Sequence, residues 1–391
     1  MSDDSVAEAA AIPAGPTAWP SGRLLSVDAL RGFAMIWILG VDEWIAALAS
    51  TYRNSLTVGL AAQMTHSNWE GLTFYDLVFP LLLFIAGVSL AFSLSRITNQ
   101  KGRTAALRRV AVRSVLLFLL GVIYYGGFAK TFSDIRLLGV LQRIALCYLF
   151  AGLLLVLCKA RWLAVAFVAL LVGYWAIMAL VPVPGIGAGI YEPGQNLANY
   201  VDSQYLPLFK WNVTWDPEGL LSTLPAIGTC LLGTLAGLFL KNEAVSAQRK
   251  VYWLCGAGVV GGFLGLLWSL QFPIVKQIWT SSYVLVAGGF CLLMLALFYQ
   301  VIEIWRRRAW AAPLLWIGSN AITLYMLFGW PNSPLRGGLF SFHDLADRLV
   351  GGSLKAVVFG QAGNLAAATA VVGLVLCLAY TLYRKRIFIR L

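Results

Sequence analysis

Stretches of about 20 apolar residues recur from residue 27 to the C-terminal end of this chain, and they leave few folds open. A helix of that length crosses a hydrocarbon core of about 30 Å, because it satisfies its backbone N–H and C=O groups internally. Hydrophobic residues make up 60% of the chain and the mean hydropathy is +0.77, well above the roughly 45–50% apolar content of a soluble domain. The chain is therefore read as an all-α polytopic membrane bundle of about ten transmembrane helices. The expected spans are 27–49, 72–95, 110–126, 137–158, 162–182, 220–240, 251–271, 282–302, 312–330 and 362–383.

Basic residues set the orientation, since positively charged loops are retained in the cytoplasm. Of the 29 Lys and Arg residues, 19 lie at Arg23, Arg96–Arg113, Lys159–Arg161, Lys241–Lys250, Arg306–Arg308 and Arg384–Arg390. The alternate connections hold eight, and Arg31 and Arg143 lie within spans. Both termini are thus expected in the cytoplasm. The net charge of +12 reports this topology, not nucleic-acid binding, for which there is no recognition module. Residues 1–22 carry neither a basic n-region nor an apolar h-region; they read as a disordered cytoplasmic tail, not as a cleaved signal peptide.

Residues 23–391 form a single expected membrane domain, elaborated on the outer face by the connections 50–71, 183–219 and 331–361. No internal repeat emerges, which argues against a transporter built from paired halves. The Gly-rich stretch 228–237 suits close helix contact or a dimer. The six cysteines lie in or beside apolar spans and form no CxxC pattern, and the chain has two histidines, His66 and His343. No metal site and no disulfide framework are expected. His343, in LFSFHDLADRLV, reads as a surface residue.

An ionisable group at membrane depth costs several kcal/mol unless it is paired or lines a wet cavity, so each one asks for a reason. Asp28 and Arg31, three residues apart, share a helical face and can pair; the alternative is a cytoplasmic-side polar site. Arg143, preceded by Gln142, lies about two turns inside its span and demands a partner. That partner is an internal carboxylate such as Asp76, or a bound phosphate or pantetheine amide. His66 has Glu70 and Asp76 within ten residues. A carboxylate on one imidazole nitrogen fixes the tautomer and makes the other a better base or nucleophile, so His66 is the first catalytic candidate.

Six blocks occur in the order found in the transmembrane acetyltransferases typified by heparan-alpha-glucosaminide N-acetyltransferase. They are RLLSVDALRGFAM, HSNWEGLTFYDLVFPLLLFIAG, RLLGVLQRIALCY, DPEGLLSTLPAIGTCLLGTLAG, KQIWTSSYVLVAGG and PLLWIGSNAITLYML. On these blocks the chain resembles that family from residue 23 onward. It differs at Asp42, Glu43 and Glu70, close to the acceptor pocket that the likeness implies.

The resemblance implies transfer of acetyl from cytoplasmic acetyl-CoA to the amino group of a glucosamine unit across the membrane, and a homodimer. His66 matches the family's active-site histidine, acting as general base or as acyl-accepting nucleophile, with Asp76 and Glu70 as its carboxylates. Arg31, Gln142, Arg143 and Lys276 become candidates to hold CoA. Ser281 or Ser282 with Asn320 are candidates for the pantetheine amides or the thioester oxygen, and Asp42, Glu43 and Trp69 for the amino sugar. The short basic loops point to a bacterial inner membrane, with the outer loops in the periplasm. The rivals are an O-acetyltransferase of envelope polysaccharide, an amino-sugar transporter, and an assembly protein without chemistry.

Overall fold

The computed structural model describes residues 24–125, 127, 131–329, 341–352 and 360–388. The expected tail 1–22 and parts of the 331–361 connection lie outside these residues. The described helices are α1 (Leu25–Ile36), α2 (Asp42–Thr51), α3 (Ser55–Gln63), α4 (Val78–Tyr124), α5 (Val140–Leu157), α6 (Ala160–Leu180), α7 (Leu197–Tyr205), α8 (Thr223–Lys241), α9 (Ala247–Trp268), α10 (Ser281–Tyr299), α11 (Ala312–Ser319), α12 (Ala321–Gly329), α13 (Phe342–Leu349) and α14 (Gly363–Arg384).

Eight of the described helical segments are long and apolar enough to cross a membrane, and a bent pair can supply a ninth span. One of the eight, Tyr75–Tyr124, has 50 residues. At about 1.5 Å per residue it is more than twice as long as the hydrocarbon core is thick. It contains both expected spans 72–95 and 110–126, so counting it as two crossings brings the total to the ten that the sequence predicts. The connection expected between them is helical instead. Its break is narrowed to Gly102, whose φ of +82° suits glycine because there is no Cβ to clash.

Two further spans are broken. The first is interrupted at Leu39 and Gly40, where φ reaches +108° at the glycine, so Asp42 and Glu43 start a new helix. The span expected at 312–330 bends by 67° at Asn320, between α11 and α12. Breaks of this kind free backbone groups and turn polar side chains inward, which a membrane tolerates only against protein or a wet cavity.

The core is built from close helix crossings made by small residues. A Cβ on Gly233 of α8 would lie 1.9 Å from the Phe84 carbonyl oxygen of α4, and one on Gly87 of α4 would lie 2.0 Å from the Cys230 carbonyl oxygen of α8. The same device joins α1 to α11 through Gly32 and Gly318. The glycines at 233 and 237, expected to serve a close contact or a dimer, are thus spent on packing α8 against α4 within the chain. Gly233→Ala is expected to lower the thermal midpoint in detergent, because overpacking of this kind costs about 1–3 kcal/mol. Gly256→Ala, with open space around it, should be neutral or stabilising by up to about 1 kcal/mol. Equal midpoints for the two variants would contradict the packing argument.

Connections gather at two ends. At one, Trp69 Nε1 donates to the Tyr191 carbonyl, Gln277 Nε2 to the Asn68 carbonyl, and the Phe209 N–H to the Ile135 carbonyl. This brings together the segments before α4, before α5, around α7 and between α9 and α10. At the other end the Ser26 N–H donates to Glu303, and Gln248 meets Gln300. Arg306, Arg307 and Arg308 follow directly in sequence there.

Candidate active site

The polar end of the bundle is organised by two turns that hold each other. Residues 66–76 lead into α4, and residues 269–280 lead into α10. The Gly71 N–H donates to the Ile274 carbonyl, and Glu70 forms an isolated antiparallel bridge with Val275. Thr280 caps α10 by accepting the Tyr283 N–H, and its hydroxyl also accepts from the Val275 N–H at 3.1 Å. Two backbone bonds, Trp279 N–H to Lys276 O and Thr280 N–H to Val275 O, tighten this turn and aim Lys276 at the first one.

His66, Asp76 and Lys276 meet there. His66 Nδ1 lies 2.8 Å from Asp76 Oδ1, and Lys276 Nζ lies 3.1 Å from the same oxygen. Asp76 Oδ2 accepts from the Ser67 N–H, the Thr73 N–H and the Thr73 hydroxyl. The Asp76 side chain is fully buried while that of His66 is 55% exposed, so the carboxylate is fixed and the imidazole edge remains accessible. The Tyr283 hydroxyl adds a bond to the Asp76 carbonyl at 2.7 Å. The Asp76 carboxylate therefore faces the imidazole, and Arg143 finds its partners elsewhere. Burial pushes the Lys276 ammonium below its ordinary value, and the Asp76 carboxylate opposes that shift.

A second polar run flanks this cluster. The Tyr75 ring lies 4.9 Å from the His66 ring, and its hydroxyl donates to Asp42 at 2.9 Å. Glu43, next to Asp42, pairs with His343 Nε2 at 2.7 Å. Both histidines thus face a carboxylate, and His343, expected as a plain surface residue, ties α13 to α2. The Glu43 contact pushes the His343 imidazole up. Glu70 is exposed and takes part through its backbone bridge. Trp69 packs on Trp215, ring centroids 5.6 Å apart, and anchors the 183–219 connection.

Arg143 is fully buried on α5; its Nη2 donates to the Gly219 carbonyl and the Ser222 hydroxyl, and its guanidinium lies 5.0 Å from the Trp279 ring centroid. Its Nε and Nη1 reach no hydrogen-bond partner among the described residues. Gln142 donates to the Arg136 carbonyl and fills the space against Gly121 and Gly139. Arg31 joins Asp28, Ser89 and the Gly318 carbonyl, tying α1 to α4 and α11. Ser281 and Ser282 donate to the Leu171 and Pro273 carbonyls, and Asn320 lies at the α11–α12 break. The candidates to hold CoA, whose predicted depths already differ, thus stand on separate elements of the bundle. Lys276 is engaged at the histidine.

The turn Asp216–Pro217–Glu218–Gly219 supplies residues that the sequence reading missed. Asp216 grips Arg136 at 2.8 and 2.6 Å, and Glu218 takes the same guanidinium at 2.6 Å. Tyr125 and Trp211 lie 4.5 and 4.9 Å from that guanidinium. Burial pushes the Glu218 carboxyl up, while Arg136, Arg143 and Lys276 pull it down. The DPEG block was visible in sequence, but nothing there placed Glu218 in the field of Lys276.

Asp202 of α7 holds this turn by accepting the Leu220 N–H at 2.8 Å and the Asp216 N–H at 3.3 Å. Burial nevertheless pushes its carboxyl up to about 6. The native state therefore favours protonated Asp202 over an unfolded chain titrating near about 3.9. Its contribution is fullest below about pH 4 and is lost as pH rises through about 6, a change of about 3 kcal/mol. Thermal midpoints followed from pH 4 to 7 should fall less in Asp202→Asn than in wild type. An unchanged slope would remove Asp202 as the cause.

A row of aromatic rings leads away from this site. Phe74 contacts Trp37 at 4.9 Å and Phe290 at 6.3 Å; Phe33 contacts Trp37 and Phe298, each at 5.6 Å; Phe298 contacts Trp310 at 5.5 Å. Trp310 Nε1 bonds the Arg307 carbonyl. The row thus links the His66 end of the bundle to its basic end between α1, α4 and α10.

The family described as heparan-alpha-glucosaminide N-acetyltransferase, catalytic, matches residues 23–260. Human heparan-alpha-glucosaminide N-acetyltransferase is 28% identical, over 78% of this chain and 52% of that protein. Its mouse counterpart is 27% identical, over 78% of this chain and 53% of its own length. The chain spans about half the length of these relatives. The matched stretch holds His66, Asp76, Arg136, Arg143 and Glu218, and on that match the chain belongs to the heparan-alpha-glucosaminide N-acetyltransferase catalytic family.

Proposed function

We propose that the chain transfers acetyl from acetyl-CoA to the amino group of glucosamine or a terminal glucosaminide, with His66 as general base. The observation that carries this reading is an accessible imidazole held at 2.8 Å by a fully buried carboxylate. With Nδ1–H directed at Asp76, Nε2 is left to accept a proton. The amine nitrogen bonds to the thioester carbon as the carbon–sulfur bond breaks; the bonding pair leaves on the CoA thiolate, and His66 takes the amine proton and can pass it to that sulfur. A nucleophilic route through acetyl-histidine uses the same atom.

In this proposal the basic end and both termini face the cytoplasm of a bacterial inner membrane, and the His66 end faces the periplasm. The distribution of Lys and Arg supports that orientation. The aromatic row offers the pantetheine arm an apolar wall between the two ends, and the cations at the basic end suit the CoA phosphates. On this reading Asp42 and Glu43 hold the hydroxyls or the ammonium of the incoming sugar; their nearness to Tyr75 and His343 supports it. A homodimer remains part of this reading on the family likeness.

The test is acetyl transfer from labelled acetyl-CoA to glucosamine by the purified full chain in detergent, with the product identified by mass spectrometry. N-Acetylglucosamine supports the proposal. An ester product would identify an O-acetyltransferase, and labelled amino-sugar counterflow without acetylation would identify a transporter.

A further inference from the structure

A buried carboxylate 2.8 Å from an imidazole ordinarily draws a second proton onto the ring, and an imidazolium cannot serve as a base. At this site a second cation competes for that carboxylate. Lys276 Nζ lies 3.1 Å from Asp76 Oδ1, the oxygen that also faces His66 Nδ1. Nζ is 2.8 Å from His66 Nδ1 and 3.4 Å from Nε2. A donor lying along the Nδ1 lone pair would be much farther from Nε2, so the amine lies over the face of the ring. The Nδ1–H remains directed at Asp76.

We propose that Lys276 is a positioning residue that keeps His66 uncharged: its ammonium neutralises Asp76 and sits beside the imidazole, so a proton added to the ring would meet an unpaired like charge. This rests on the reading of His66 as the base. The groups facing the pair are Asp76 from the turn before α4, Tyr75 beside the His66 ring, Asp42 behind Tyr75, and Glu218 from the turn before α8. Glu218 is held by Arg136, and burial favours its neutral form. Asp76 is therefore the carboxylate that the two cations would have to share.

The chain has two histidines, so imidazole nitrogens can be followed directly by NMR in ¹⁵N-histidine-labelled full chain in detergent micelles, with His343→Gln assigning the signals. In wild type the His66 signals should be those of a neutral ring protonated on Nδ1 at neutral pH. In Lys276→Met the change to imidazolium should move to higher pH by about 1–3 units, the scale on which a neighbouring charge acts. Lys276→Arg retains the cation and should keep the wild-type titration. The acid limb of the kcat/KM profile for acetyl transfer should move with the NMR midpoint.

An unmoved His66 titration in Lys276→Met would overturn the proposal, as would an Arg variant that behaves like the Met variant. If Lys276→Met does not fold, Lys276→Gln carries the same test. Because the titration is read without turnover, absence of acetyl transfer in wild type would refute the function proposed for the site and leave the Lys276 result readable.

Discussion

Exchanging His66 for alanine is expected to lower acetyl transfer from acetyl-CoA to glucosamine by about 10²–10⁴-fold, the usual loss when a positioned general base is removed. Half of the side chain is exposed, and among the described residues its ring meets Asp76, the Lys276 amine and the Tyr75 ring, so the fold should survive. Acetyl-CoA binding and the thermal midpoint should stay near wild type while kcat falls. A variant with the wild-type rate would remove His66 from the chemistry. Mass spectrometry of the intact protein after acetyl-CoA is added without an acceptor separates the two roles. An acetyl group on the wild-type chain that is missing from His66→Ala would establish the nucleophilic route.

The second large effect is expected at Asp76. Its oxygens divide their work: Oδ1 faces His66 and Lys276, while Oδ2 accepts two backbone N–H groups and the Thr73 hydroxyl. An asparagine has one acceptor oxygen and one NH₂ group, so in either orientation it sets donors against donors. Asp76→Asn also leaves the Lys276 ammonium without its carboxylate. Losing one partner of a buried ion pair costs about 3–5 kcal/mol. The expected result is a lower thermal midpoint together with at least about a 10²-fold loss of kcat. Faster hydrogen exchange at the Ser67 and Thr73 amides should accompany both. Wild-type exchange and turnover would show that the carboxylate neither anchors the turn nor orients the base.

The membrane architecture was legible because it depends on one-dimensional patterns. Apolar runs long enough to cross, separated by basic or polar connections, mark spans whatever the helices pack against. The errors arose where a span is interrupted from within. Gly40 and Asn320 lie in apolar runs, and hydropathy does not register a backbone break. The stretch 96–109 is basic enough to read as a loop, yet it stays helical on both sides of Gly102. The crossing at Gly233 was visible as a small-residue pattern. Its partner was not, because a glycine-rich face suits a neighbouring helix of the same chain as well as that of another copy.

Within the site, His66 and Asp76 were legible together because they are ten residues apart and one turn connects them. Lys276 is 210 positions from His66, and its basic character alone suited a phosphate contact equally well. Glu218 and Arg136 raise the same difficulty, being 82 positions apart and joined by a single partly buried contact. Residue types and local spacing were enough to establish that this chain crosses a membrane many times and carries a histidine beside a carboxylate. Which cation that carboxylate also holds was decided by how the turn before α10 packs against the turn before α4, since electrostatic coupling depends on distance in space and a sequence records only distance along the chain.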